Sequence, residues 1–115
     1  MRSRAYSLSD LADHASSALG VRRSDVQKGD TLILHTQNSI YTAKYLGNGQ
    51  FLVKGGWFSV QEDQYVQTSI SGCTWGGKCI QQNLLASPGM RVEFGNRVLT
   101  SILKRVVKIP SVMMN

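Results

Sequence analysis

The sequence predicts a mainly β protein: a small antiparallel barrel or rolled sheet of six or seven strands with one short N-terminal helix. Three observations support this fold class. From Thr31 onward, apolar and polar residues tend to alternate with a period of two, as in a strand with one buried face. Short strand-like runs recur every 8–12 residues or so between turns rich in Gly and Asn. Curling or closing such a sheet also removes exposed edges that promote aggregation.

Length and composition limit the classes of protein to which this chain can belong. The 115 residues fit a single domain, residues 1–115, since domains usually hold roughly 100–200 residues. Hydrophobic residues make up 42% and charged residues 17%, which excludes a disordered tail. No apolar run approaches the ~20 residues that span a bilayer, so we expect no membrane partner. The formal charge of +6 favours an anionic partner.

The N-terminal region predicts a short amphipathic helix over about residues 7–19. Ser7 and Asp10 have the spacing of a capping box, and Gly20 stands where a helix C-terminus favours a positive φ. One apolar stripe, with spacings of three or four residues, consists of Leu8, Leu11, Ala12, Ala15 and Leu19. Because this stripe is thin, we expect the helix to cover the sheet as a lid, ahead of a role as a partner-facing element.

The first three predicted strands form a meander. Residues 31–36 and 40–46 are short runs rich in β-branched, aromatic and apolar side chains, which suit a pleated surface. A third run, residues 50–54, follows the tripeptide Gly47-Asn48-Gly49. Since Gly and Asn accept the positive φ of tight hairpin turns, this tripeptide predicts a hairpin.

More strands are predicted along the rest of the β region, which extends over about residues 31–109. A glycine-rich segment at 72–77, which permits a bulge or a tight turn, and a turn at 87–89 separate them. They comprise an extended continuation at 57–60 and strands at 65–70, 90–94, 98–103 and 106–109. Pro110 is expected to end the last strand.

A resemblance to a known group of proteins covers residues 72–106. The pattern is a glycine-rich segment, a Gly-Met-x-x-Glu-Phe strand and a Thr-Ser pair, represented here by Gly72–Gly77, Gly89–Phe94 and Thr100–Ser101. These stretches resemble a group of small, uncharacterised bacterial all-β proteins. Cys73 replaces a serine of the pattern, and the spacer before Gly89 is one residue longer. The resemblance implies a bacterial, cytoplasmic all-β domain and assigns no catalytic or binding residue.

Neither metal binding nor catalysis is predicted. Five residues separate Cys73 from Cys79, whereas zinc-binding pairs usually enclose two to four, and a four-ligand site would also need His14 and His35. We expect two reduced thiols packed as small hydrophobes. The loop at 75–78 lacks the P-loop spacing of glycines, and no Gly-x-Ser-x-Gly motif occurs. We therefore predict no enzyme, no catalytic residue, no metal and no cofactor.

The basic residues support the preferred hypothesis, a non-catalytic β-barrel binding module for an anionic partner such as nucleic acid. Cations cluster after the predicted helix and again near the C-terminus. If the last strands lie beside the helix exit, seven cations would form one face that neutralises phosphates. They are Arg22, Arg23, Lys28, Arg97, Lys104, Arg105 and Lys108.

The alternative hypothesis is a structural or adaptor protein that forms a homo-oligomer or docks a protein partner. Its candidate residues are three aromatics expected to be exposed: Trp57, Phe58 and Trp75. The Gly-Gly-Trp and Trp-Gly-Gly units would bring two indoles to one end of the barrel. An enzymatic role would require an unusually reactive Cys73.

Overall fold

A computed structural model describes residues 20–56, 58, 65–76 and 79–111. Across these residues the chain is mainly β, which confirms the predicted fold class at that level. No helix in the described ranges is long and apolar enough to cross a bilayer. The predicted helix at residues 7–19 lies outside them.

Six of the described strands form one curled antiparallel sheet, a half-barrel. In chain order the strands are β1 Val21–Arg22, β2 Thr31–Thr36, β3 Ile40–Gly47, β4 Gln50–Gly55, β5 Val66–Thr74, β6 Leu84–Ala86, β7 Arg91–Phe94 and β8 Leu103–Ile109. A 3₁₀ helix, Arg23–Asp25, follows β1. The strand order in the large sheet is β7-β5-β4-β3-β2-β8, and β1 pairs with β6 in a second, two-stranded sheet.

The predicted meander is confirmed in β2, β3 and β4. Gly47, Asn48 and Gly49 have φ angles of 92°, 54° and 76°, the left-handed conformation that only Gly and Asn adopt readily. The pairing of Leu34 with Tyr41 puts both side chains on the buried side of the sheet. The period-two pattern therefore matches the observed inside and outside of these strands.

Two strands were predicted at the end of the β region, at 98–103 and 106–109. This division is wrong, because the structure has the single strand β8, Leu103–Ile109. The segment before β8 instead returns along β7. The Thr100 amide donates to the Val92 carbonyl (2.9 Å), and the Val92 amide donates to the Thr100 hydroxyl (3.0 Å). Because a side chain supplies one of these bonds, this segment is an irregular arm and not a regular ladder.

The extended continuation predicted for residues 57–60 is wrong at Phe58, which has helical backbone. This change of direction turns the Phe58 ring into the concavity of the sheet. Its centroid lies 6.1 Å from that of Tyr41 and 5.1 Å from that of Phe94, and it is edge-on to both rings. The three aromatic rings form the centre of a core that the inward faces of β2–β5, β7 and β8 enclose.

The glycine-rich segment at 72–77, for which a bulge or a tight turn is predicted, begins as the last part of β5. A bulge lies between Ile70 and Gly72, where the register with β7 shifts. Gly72 has a φ of 144°, and a Cβ there would collide with the carbonyl oxygen of Gln81. Only a glycine allows this close approach, so β5 continues past the bulge instead of ending there.

Candidate functional site

The outward side of the large sheet presents side chains in rows across neighbouring strands. Residues directly opposed in antiparallel strands project to the same side, so the pairings define the rows. We call this surface the outward face; it consists of Arg105, His35 and Ile40 in the first row, Val107, Ile33, Thr42 and Lys54 in the second, and Ile109, Thr31, Lys44 and Leu52 in the third.

The outward face is positively charged. Lys44, Lys54 and Arg105 are exposed on it. The carboxylate residues in the described part of the chain are Asp25, Asp30 and Glu93, and none belongs to this face. Three cations therefore project from one surface without an opposing charge among its described residues.

An aromatic ring borders the same surface. Tyr65, which is 52% exposed, lies just before β5, and the Lys54 ammonium is 5.5 Å from the centre of its ring. This distance is within the range of a cation–π contact. Half-buried Ile33 and Val107 lie between the charged ends of the face. The surface thus combines cations, an aromatic ring and apolar area.

Lys44 and Lys54 were absent from the predicted set of cations, although the sequence contained a signal for them. Each occupies an outward position in the alternation of its strand, two residues from Thr42 and Leu52 respectively. Grouping cations by their distance along the chain misses both. His35 is half-buried and also lies on the outward face.

The seven predicted cations do not share one face. Arg105 pairs with His35, which pairs with Ile40 at the start of β3. The side chain of Lys28 packs over the position of Gly47 at the other end of β3. Ile40 and Gly47 are seven residues apart in β3, roughly 23 Å at the usual rise per residue.

Three further predicted cations lie in different parts of the fold. Lys108 pairs with Leu32 on the other side of the sheet from Arg105, and its Nζ donates to the Asp25 carbonyl at 2.9 Å. Arg97 lies in the turn after β7. Lys104 lies in a bulge of β8, between Leu103, which pairs with Thr36, and Arg105, which pairs with His35. Of the seven, only Arg105 belongs to the outward face.

Arg23 has a structural role, which argues against its predicted role in anion binding. Its Nε donates to the Gln82 carbonyl at 2.9 Å and its Nη2 to the Ile70 carbonyl at 2.8 Å. The guanidinium thereby joins the 3₁₀ helix to β5 and to the turn before β6. Arg22, the neighbouring residue, is exposed, and its Nε lies 3.6 Å from the Asp25 carboxylate.

The aromatic residues of the adaptor hypothesis differ in exposure. Trp75 is 74% exposed, as expected. The expected exposure of Phe58 is wrong, because its side chain is completely buried between Tyr41 and Phe94. Trp57 lies outside the described residues.

The two cysteines are free and differ in environment. Cys73 is buried, as expected, whereas Cys79 is exposed and not packed as a small hydrophobe. Burial raises the pKa of the Cys73 thiol to about 12, against the smaller lowering effect of a hydrogen bond with the Ser87 backbone. A thiol with such a pKa is a poor nucleophile at neutral pH. No three His, Cys, Asp or Glu residues of the described ranges come together in a group that could hold a metal ion.

Cys73 should make the stability of the protein fall at alkaline pH. The folded-state pKa of about 12 exceeds the ordinary value of 9.0, so the unfolded chain loses this proton first, and its free energy falls relative to that of the folded state as pH rises between the two values. The stabilisation is complete below pH 9. We expect urea denaturation to show a steeper loss of stability from about pH 9 to pH 12 for the parent than for Cys73→Ala. Parallel profiles would contradict this assignment.

Comparison with known proteins identifies no family for this chain. No family model, no curated protein and no solved structure matches it. The resemblance over residues 72–106 therefore stays a prediction. The functional inference therefore rests on the charges, the exposure and the contacts of the described residues.

Proposed function

We propose that this protein is a non-catalytic binding domain that holds a nucleic-acid strand on its outward face. The observation that carries the proposal is the presence of Lys44, Lys54 and Arg105 on the outward face of β2, β3, β4 and β8, where no described residue is a carboxylate. Glu93 lies on β7, two strands beyond β4. Phosphate groups are the anions that nucleic acids present in a regular series, and Lys and Arg bind them by displacing condensed counterions. A single-signed surface suits such a polyanion.

The spacing of the cations favours an extended anion over a single small one. Arg105 on β8 and Lys54 on β4 lie three strand intervals apart, about 14 Å across the sheet. Lys44 is diagonal to Lys54 on the adjacent strand, within roughly 8 Å. A polyanion that crosses the strands would contact all three side chains, whereas one phosphate would reach only part of the set.

The uncharged part of the outward face suits the sugars and bases of the same ligand. Ile33 and Val107 supply half-buried apolar area between the cations. Tyr65 lies beside Lys54 with half its surface exposed, so its ring is available to a base. Aromatic rings among cations are the usual composition of surfaces that bind single strands.

The second candidate function is the structural or adaptor protein of the sequence analysis. The observation in its favour is the exposure of large apolar side chains, with Ile40 at 55% and Trp75 at 74%. An apolar interface depends little on ionic strength, whereas phosphate binding weakens steeply with salt. A salt titration therefore separates the two candidates.

Replacing Lys44 and Lys54 by glutamine tests the proposed function. Loss of two phosphate contacts should lower the slope of log affinity against log salt by about 1.4 for a single strand. We expect affinity at 0.1 M salt to fall about tenfold or more, measured by fluorescence anisotropy with a labelled oligonucleotide. The variant Arg22→Gln/Arg97→Gln is the matched control, because it removes the same charge from β1 of the second sheet and from the turn after β7.

Three results would count against the proposal. Equal loss of affinity in the control would show that net charge, and not the outward face, attracts the ligand. Absence of measurable binding at low salt would exclude nucleic acid as the partner. Self-association that persists at high salt would favour the adaptor function instead.

A further inference from the structure

Trp75 has a solvent-exposed indole ring and lies in the loop after β5. Its side chain is 74% exposed, yet part of the ring packs over Gly89, where a Cβ would lie 3.5 Å from Cζ3. The Gly76 amide donates a hydrogen bond to the Thr74 hydroxyl at 3.0 Å, which links the two residues on either side of Trp75. A large ring held by its own loop loses little conformational freedom when a ligand stacks on it.

Cations lie on the segments next to this indole. The Gly89 amide donates to the Leu103 carbonyl at 2.8 Å, and Lys104 directly follows Leu103. On the other side, Arg91 pairs with Thr74, the residue before the indole. The surroundings of Trp75 therefore favour an anionic ligand over a neutral or basic one.

The indole is also close to one end of the outward face. Leu103, whose carbonyl is bonded to Gly89, lies two residues from Arg105, or about 7 Å along β8. Arg105 begins the first row of the outward face. One ligand strand could therefore extend from Trp75 past Lys104 onto the outward face.

We propose that Trp75 stacks an unpaired base of the strand whose phosphates bind Lys104 and the outward face, so that the preferred ligand is single-stranded nucleic acid. This inference rests on the proposed function and adds the class of ligand. Stacking on an aromatic ring requires a base with a free face. Bases in a duplex are already stacked and paired, so a duplex would reach the cations but not the indole.

The test compares single-stranded and duplex oligonucleotides of about 12 residues, a length within the range of small-domain sites, at low salt. For Trp75→Ala we expect the affinity for oligothymidine to fall at least fivefold, as base–aromatic stacking free energies imply. Affinity for the duplex should change less than twofold. Trp75→Phe, which keeps an aromatic ring, should retain most of the single-strand affinity.

Tryptophan fluorescence supplies a second readout. In a Trp57→Phe background Trp75 is the remaining tryptophan, and oligothymidine should quench its emission to saturation under excitation selective for tryptophan. The anisotropy measurements on Trp75→Ala and Trp75→Phe do not depend on that background, so they test the proposal even if Trp57→Phe fails to fold. Thermal unfolding of both Trp75 variants should match that of the parent.

The outcomes separate this inference from the proposed function. Unchanged single-strand affinity in Trp75→Ala, together with weaker binding by Lys44→Gln/Lys54→Gln, would overturn the stacking site and leave the outward face as the binding surface. A change of oligomeric state in Trp75→Ala, seen by sedimentation without any change in strand affinity, would overturn it in favour of a contact between copies. Absence of binding by the parent would overturn both proposals.

Discussion

Replacing Phe58 by alanine is expected to lower the free energy of unfolding by about 3–5 kcal/mol. The side chain is completely buried, and its ring meets those of Tyr41 and Phe94 edge-on, with centroids 6.1 and 5.1 Å away. The substitution removes both aromatic contacts and leaves a cavity beside the two rings. Urea denaturation followed by circular dichroism measures the loss.

Trp75→Ala is the control for Phe58→Ala, since it truncates an aromatic side chain that is mostly exposed. We expect it to change the free energy of unfolding by no more than about 0.5 kcal/mol. Small domains are stable by only about 5–15 kcal/mol, so Phe58→Ala should lose a large part of the total. Similar stability losses in both variants would contradict the burial of Phe58.

Replacing Arg23 by methionine should lower the free energy of unfolding by about 2–4 kcal/mol, which is less than two full charged hydrogen bonds would contribute, because the bond to Gln82 is exposed. The guanidinium donates to the carbonyls of Gln82 and Ile70 at 2.9 and 2.8 Å, and hydrogen bonds from charged groups contribute about 1.5–3 kcal/mol each. Methionine keeps the length of the side chain but donates no hydrogen bond. Chemical denaturation at neutral pH measures the difference.

Arg22→Met is the matched control, because it removes the same charge one residue earlier. The Arg22 side chain is 72% exposed and has one ion pair, at 3.6 Å from Asp25, and such surface pairs contribute about 0–1 kcal/mol. Equal destabilisation by the two variants would contradict the structural role of Arg23. Under conditions where it remains folded, Arg23→Met should bind oligonucleotides as the parent does.

Local sequence signals were sufficient for β2, β3 and β4. Alternation sets which side chains point inward, and the positive φ angles of Gly47, Asn48 and Gly49 belong to residue types that adopt them readily. By contrast, β1 and β6 were not predicted. Each is two or three residues long, and they pair with each other across more than sixty positions of the chain. Strands this short carry no periodic signal of their own.

The candidate binding surface was predicted only in part. Arg105 was expected to contact an anion, but Lys44 and Lys54 were missed, because three different strands bring these cations together and only the register shows that they share a side. Lys28 and Arg97 were included in the predicted set because other cations of the set lie near them in sequence. The pairing of β8 with β2 places Arg105 at the far end of β3 from Lys28.

The amino-acid sequence by itself determined the β class, the central meander and the alternation of inward and outward side chains, since these depend on residues within a few positions of one another. Tertiary structure alone decided that Phe58 is buried, that Arg23 bonds to carbonyls 47 and 59 residues away, and that the described cations of the outward face share one surface. Each of these depends on contacts between distant segments, which leave no periodic pattern along the chain.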